Sequence, residues 1–354
     1  MKKSILFILL SISYILFGQV PEQYYKAAHN KSGYELKTAL SQIITSGHTT
    51  NTYGSLWTHF QTTDKRSDGK VWDMYSDCTF TFGSNQCGNY SKICDCYNRE
   101  HSFPKSWYGG SETHPMYADL FHLYPTDGAV NNYRGNYPFG ETNGTQYNIS
   151  KLGSCTFPGY NGTVFEPADE YKGDFARTYF YVATRYENQI AQWNCPMLAG
   201  NSTSVFTTWS IKLLLKWHHQ DPVSEKERNR NNAVYSIQKN RNPFIDYPEL
   251  VEMIWGDDFG EIFFPEVSID EKYNNENPLY ISPNPNNGHL TVTFEKPFSG
   301  IIYLYNIMGA RLQQIPVQSV STQNIDISDF SNGLYILELT TENQSSLHKK
   351  IIKY

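Results

Sequence analysis

Two stretches of the chain concentrate side chains that can do chemistry. One is Asn98-Arg-Glu-His-Ser-Phe-Pro-Lys-Ser-Trp107. The other is Asp119-Leu-Phe-His-Leu-Tyr-Pro-Thr-Asp-Gly-Ala-Val-Asn-Asn-Tyr-Arg-Gly-Asn-Tyr-Pro-Phe-Gly-Glu141. They combine a carboxylate, imidazoles, side-chain amides and a guanidinium with few neighbouring charges. Glu100 is a hard oxygen donor and Asn131 offers a neutral amide oxygen, a pair that suits Mg²⁺, which prefers oxygen and keeps several of its waters. His101 titrates near neutral pH and can act as general base on an attacking water. Arg134 lies three residues after Asn131, on the same face if the segment is helical, where its guanidinium can hold a phosphate oxygen. Pro138 and Gly140 are expected to end that helix. A Glu-His pair alone is common, and its plainest reading is a surface salt bridge or a core histidine.

These groups need elements to position them. Apolar residues recur every three to four positions over 174–187, predicting an amphipathic helix, and 205–219 reads the same way. Ser224 and Glu227 form a capping box opening a helix over 224–238, with Asp221-Pro222 as the turn before it. From Pro278 the pattern changes to period two over 290–294, 301–305, 334–339 and 349–353, separated by Gly, Asn, Ser and Pro clusters. Such runs predict a small β-sandwich over 278–354. The seam between the two parts is acidic: residues 257–277 hold seven acidic residues and one lysine, whereas the tail balances five basic against five acidic.

The 354 residues suffice for about two domains of ~100–200 residues each. With 15% aromatic and only 18% charged residues the composition excludes a disordered chain. A net charge of −6 excludes coating of nucleic acid by charge alone, though not a site that grips one phosphate. Lys2 and Lys3 before an apolar run over 5–17 predict a secretory signal peptide over 1–18, with an uncleaved anchor as the alternative. In an exported chain the six cysteines (78, 87, 94, 96, 155 and 195) favour disulfides, with 15 pairings open. Cys94 and Cys96 are expected to pair outward rather than with each other. A zinc site from the first four fits poorly, because their gaps do not match paired C-x₂₋₄-C spacing.

Glu100-His-Ser-Phe-Pro-Lys-Ser106 and His122-Leu-Tyr-Pro-Thr-Asp-Gly-Ala-Val-Asn-Asn-Tyr-Arg-Gly-Asn136 closely resemble the endonuclease I family. Further matches are Lys172-Gly-Asp-Phe-Ala-Arg177, Asp221-Pro-Val-Ser224 and Asn240-Arg-Asn-Pro-Phe-Ile-Asp246, so the resemblance covers most of 25–256. It implies an exported nuclease with a ββα-metal core, a short hairpin and a helix around one metal. It further implies metal ligands at Glu100 and Asn131 and a general base at His101. Arg134, also counted as catalytic, and Arg241 fall on basic positions similar to phosphate contacts. Relatives often read Asp-Leu-His-His-Leu where this chain has Asp119-Leu-Phe-His-Leu123. Phe121 cannot replace an imidazole, and His122 is expected to support the site from behind. His114, His218 and His219 are expected to be ordinary surface or packing residues. Ile281-Ser-Pro-Asn-Pro-Asn-Asn-Gly288, Leu304-Tyr-Asn-Ile-Met-Gly309, Leu334-Tyr-Ile336 and the basic C-terminus resemble a type IX secretion sorting domain, against the alternative of a carbohydrate- or protein-binding sandwich.

The expected architecture is therefore α+β. A signal peptide (1–18) precedes a mainly helical nuclease domain with a ββα-metal core (19–265), an acidic linker (266–277) and an all-β sandwich (278–354). The expected protein is a secreted or cell-surface monomer without stable membrane insertion, delivered by outer-membrane secretion machinery. The expected activity is Mg²⁺-dependent hydrolysis of DNA and RNA to 5′-phosphates with little sequence preference, Mn²⁺ or Ca²⁺ being alternative ions. No zinc finger, RNP-type aromatic pair or basic recognition helix is present to read bases. Neither H-E-x-x-H nor G-x-S-x-G occurs, which weakens protease and esterase readings. The competing class is a secreted, non-catalytic glycan-binding or adhesive protein, suggested by the aromatic content.

Overall fold

The computed structural model describes residues 20–264 except Glu22, 279–340 except Met308, and 346–354. The expected signal peptide and acidic linker lie outside the described residues. Two units divide the chain, Met1–Pro265 and Glu266–Tyr354. Among the described residues no helix is long and apolar enough to cross a membrane.

The first unit runs β1 (Lys31–Ser32), α1 (Gly33–Thr45), α2 (Leu56–Thr63), β2 (Tyr97–His101), β3 (Leu123–Asp127), α3 (Gly128–Arg134), β4 (Thr145–Tyr147), β5 (Ser150–Ser154), β6 (Thr163–Glu166), α4 (Lys172–Arg185), α5 (Glu187–Ile190), α6 (Thr208–Gln220), α7 (Glu225–Gln238), α8 (Pro243–Asp246), α9 (Leu250–Trp255) and β7 (Ile262–Phe263). β1 pairs with β7, β2 with β3, and β4, β5 and β6 form a sheet in that order. Both short sheets and helices therefore surround the core.

α4 is the centre of this unit. Its pattern predicts an amphipathic helix, yet every residue from Lys172 to Thr184 is buried. α1 and α6 pack against it, and Phe175, Phe180 and Val182 join the largest apolar cluster. A helix covered on all sides must satisfy its charged residues internally: Lys172 pairs with Glu166 and Asp169, while Asp174 and Arg177 pair with Lys226 and Glu227 of α7. The Arg177 guanidinium donates to both carboxylate oxygens of Glu227 and to the Asp221 carbonyl. Gly173 allows this approach: a Cβ there would lie 2.0 Å from the Asp221 carbonyl oxygen. The capping box at the head of α7 is present as expected, so Glu227 serves both the cap and Arg177. The matched motifs at 172–177, 221–224 and 240–246 thus build scaffold.

The second unit contains β8 (Leu279–Ser282), β9 (His289–Asn306), β10 (Arg311–Asp326), β11 (Gly333–Thr340) and β12 (Ser346–Lys353). The expected sandwich is instead one continuous sheet in the order β10-β9-β11-β12, with β8 also on β9. Two expected strands, 290–294 and 301–305, are halves of the 18-residue β9, and β8 and β10 were not anticipated. The first half of β9 pairs with β8 and the end of β10; its second half pairs with β11 and the start of β10. Register shifts between Val317 and Thr322 bend the ribbon opposite Phe298, as β-bulges do. A bridge between Asn286 and Lys353 joins the region after β8 to β12, curling the sheet around Leu290, Val292, Ile302, Leu304 and Leu337.

Candidate active site

β2, β3 and α3 form a strand–strand–helix unit. The antiparallel register places Glu100 opposite Tyr124 and His101 opposite Leu123. Residues 102–122 join the strands, a longer excursion than the expected short hairpin. Asp127 ends β3 and caps α3, its Oδ1 accepting the N–H groups of Ala129 and Val130 at 2.9 Å each. Gly135, at φ +54°, ends the helix. Pro138 and Gly140, expected in that role, lie beyond it; glycine tolerates a positive φ that neither Pro138 nor an ordinary side chain adopts easily.

Side chains two apart on a strand share a face, and residues three apart on a helix do too. Accordingly Asn98 and Glu100 of β2 meet Asn131 and Arg134 of α3. The Asn131 amide donates through Nδ2 to Asn98 Oδ1 at 2.7 Å, and its Oδ1 accepts no hydrogen bond among the described residues. Glu100 is buried, and its Oε1 accepts from the Tyr75 hydroxyl and from Arg134 Nη1, both at 2.8 Å. Burial pushes the Glu100 carboxyl up, while the Arg134 guanidinium and the Tyr75 hydroxyl oppose that rise. Both side-chain hydrogen bonds go to one carboxylate oxygen. Glu100 and Asn131 thus bring hard oxygen atoms to the same side of the unit, and oxygen donors of this kind suit a small divalent cation.

His101 follows on the strand and faces the other way, among Tyr53, Tyr117 and His122, with ring centroids 5.7, 5.1 and 5.6 Å away. Burial and the His122 ring push its pKa down to about 3, so the imidazole is neutral near pH 7. Its Nε2 lies 3.0 Å from the Tyr117 carbonyl oxygen. A carbonyl can only accept, so the proton sits on Nε2 and Nδ1 carries the lone pair. His122 is fully buried behind it, donating from Nε2 to the Met116 carbonyl at 2.6 Å. The His122 carbonyl in turn accepts from the Ser102 amide and hydroxyl, which pins the end of β2.

Arg134 and Arg241 occupy different surroundings from those expected of phosphate contacts. Arg134 is wholly buried and donates to Glu100, to the His101 carbonyl and to the Ser102 carbonyl. Arg241 is buried and donates to both carboxylate oxygens of Asp246 and to Asn232. Each guanidinium is committed to the protein: Arg134 holds the metal-ligand candidate Glu100, and Arg241 ties α7 to α8. Phe121 packs in the core against Tyr181, ring centroids 4.6 Å apart. His219 pairs with Glu252 on the surface, and His218 is buried beside Arg177.

Disulfides Cys78–Cys94 and Cys87–Cys96 cross-link the segment before β2, and Cys94 and Cys96 pair outward as expected. They rule out the zinc alternative, and Cys155 and Cys195 remain free thiols. Cys78, Cys94 and Asp127 cluster closely, but the sulfurs bond each other and Asp127 accepts three backbone amides, so the group is no cation site. Sequence reasoning missed Tyr75 and Asn98. Asn98 was detectable from its period-two relation to Glu100, whereas Tyr75 had no local signal.

The aromatic side chains that suggested adhesion lie largely in the core, Tyr75, Tyr97, Tyr179, Tyr181 and Trp217 among them. Residues 32–249 match endonuclease I, and residues 280–354 match the secretion system C-terminal sorting domain. An extracellular ribonuclease of Bacillus amyloliquefaciens is 38% identical over 241 residues, covering 66% of this chain and 78% of that protein. An extracellular ribonuclease of Bacillus subtilis is 36% identical over the same shares. An extracellular deoxyribonuclease of Aeromonas hydrophila is 30% identical over 137 residues, 38% of this chain and 52% of that protein. With a family match over most of its first unit and a sorting domain behind it, the chain belongs to the endonuclease I family of nucleases.

Proposed function

We propose that this nuclease is a secreted, Mg²⁺-dependent endonuclease that hydrolyses DNA and RNA without marked sequence preference and leaves 5′-phosphates. The observation that carries the reading is that Glu100, set against Asn131 and Arg134 of α3, and His101, a neutral imidazole of defined tautomer, are consecutive at the end of one strand. Glu100 and Asn131 would hold the ion, and the strand–strand–helix unit around them would be a ββα-metal core. A bound Mg²⁺ supplies Lewis-acid stabilisation of charge growing on a phosphate oxygen and the leaving 3′ oxygen.

The chain's own residues do the rest. His101 takes a proton from the attacking water at Nδ1, while the Tyr117 carbonyl steadies the cationic ring through Nε2–H. Tyr75 and Arg134 oppose the rise that burial imposes on the Glu100 carboxyl and hold it in one orientation, and Asn98 keeps the Asn131 amide from flipping. Because water attacks, a 2′-hydroxyl is unnecessary, which admits both DNA and RNA. The nuclease relatives named for ribonucleic and deoxyribonucleic acid support the same breadth. Contacts to backbone rather than base edges give little sequence preference and salt-sensitive binding. The sorting domain fits delivery by outer-membrane secretion machinery to the exterior or the cell surface.

The test is cleavage of plasmid DNA and of RNA by the full chain with Mg²⁺ and with EDTA, followed by end-group analysis. Cleavage should stop in EDTA, and the new 5′ ends should accept label only after phosphatase. His101→Ala should fold and bind metal yet cut about 10²–10⁴-fold more slowly, the usual contribution of a general base. Undiminished cutting in EDTA or by His101→Ala would overturn the mechanism.

A further inference from the structure

We propose that Arg99 is the guanidinium that grips the substrate's phosphodiester backbone beside His101. The proposal deepens the nuclease reading above and rests on it. Four arginines of the first unit, Arg134, Arg177, Arg230 and Arg241, are buried and ion-paired, to Glu100, Glu227, Asp64 and Asp246. None of them has charge to spare for a ligand. Arg99 is half-buried, immediately precedes Glu100, and has no ion-pair partner among the described residues.

Its position is nevertheless defined. The guanidinium lies 3.6 Å from the Tyr53 ring centroid and 4.5 Å from that of Trp57, and Nη1 donates to the Tyr53 carbonyl at 2.6 Å. Aromatic contacts of this kind orient a guanidinium without neutralising its charge. Residues two apart on β2 share a face, so Arg99 projects on the same side as His101, and Tyr53 touches both. Lys105, exposed, approaches the Tyr117 ring from the same neighbourhood, 5.8 Å from its centroid. A strand of nucleic acid crossing the end of β2 toward His101 would thus meet an oriented cation without an ion pair among the described residues, with fork geometry suited to phosphate, the nearby Glu112 carboxylate being bonded to the Tyr117 hydroxyl.

The experiment uses the full chain carrying His101→Ala, so that a fluorescein-labelled single-stranded 12-mer survives, and reads affinity against salt by anisotropy. Adding Arg99→Ala should weaken binding about tenfold, the loss expected for one charge-assisted hydrogen bond. It should also reduce the slope of log affinity against log salt by about 0.7, one phosphate's worth of released counterions on a single strand. Arg99→Lys should keep the slope and recover part of the affinity. In the otherwise wild-type enzyme Arg99→Ala should raise KM about tenfold. An unchanged slope and KM in a folded Arg99→Ala protein would overturn the proposal. So would a fall in kcat alone, which would make Arg99 a brace for Tyr53 and His101. Wild-type cutting by His101→Ala would sink the general-base assignment while leaving the salt slope of Arg99 to stand or fall by itself.

Discussion

The two units bury different things. The first buries charge: Arg134 with Glu100, Arg177 with Glu227, Arg230 with Asp64 and Arg241 with Asp246 all lie in the interior. The second buries hydrocarbon along alternating strands, and its buried polar groups among the described residues are Asn286 and Lys353. An apolar strand face needs only the correct period to find its partner. An interior ion pair needs geometry, because desolvation is offset only when the partners and their remaining hydrogen bonds are in place. The same geometry that makes such pairs costly to break holds the Glu100 carboxylate in one orientation against Arg134.

Removing one ionic partner should produce the largest effect. Arg177→Met leaves Glu227 buried without its cation and should destabilise the first unit by about 3–5 kcal/mol. Urea unfolding read by nuclease activity measures the loss; a shift under ~1 kcal/mol would erase the contrast between the units. In the tail, Leu337→Ala should cost about 2–5 kcal/mol through a cavity. Hydrogen exchange should quicken over 279–340 while the cutting rate is unchanged, and a parallel loss of activity would show that the units are not independent.

Acid should act on the first unit. Burial, with Arg177 and His219 nearby, lowers the His218 pKa to about 4, against 6.5 for an unfolded histidine. The unfolded chain therefore binds the proton first, so this stabilisation is complete above pH 6.5 and is lost as pH falls toward 4. Its extent is up to about 3 kcal/mol at 1.36 kcal/mol per unit. His218→Gln should flatten the pH dependence of the urea midpoint between pH 7 and 4.5; identical profiles would refute it. The smallest expected effect is covalent. The Cys87–Cys96 link closes a short loop at a sequence separation of 9, and replacing both by serine should cost about 2–3 kcal/mol. Reductant should lower the melting temperature of the first unit and leave exchange in the tail, which has no cysteine, unaltered.

Legibility followed the same division. The capping box of α7 and the helix at 208–220 were readable because caps and 3.6-residue periods are local. The tail's β character was readable, but its topology was not: bulges let β9 continue through the Lys296-Pro-Phe-Ser-Gly300 stretch that looked like a break. α4 reads as amphipathic because its charged residues suggest a solvent face, and they are instead paired inside the protein, Asp174 and Arg177 with α7 and Lys172 with Glu166 and Asp169. At the site, the wording of 98–107 and 119–141 indicated Glu100, His101 and Asn131. It could not separate buried, ion-paired arginines from the half-buried Arg99, which has no ion pair among the described residues. Arg134 and Arg99 differ in burial and in where the fold puts the nearest carboxylate.

Residue types and their spacing determined that this chain carries an oxygen donor, an imidazole and an amide at the junction of a strand and a helix, with a strand-rich tail behind them. Those are properties of neighbours in sequence, set by side-chain chemistry and backbone period. The tertiary structure alone decided that Tyr75 and Arg134 claim one oxygen of Glu100, that the Tyr117 carbonyl selects the His101 tautomer, and that Arg99 lies against Tyr53 and Trp57. Each depends on a group brought from a distant segment, and electrostatic interaction depends on separation in space and on burial, neither of which is written in local order.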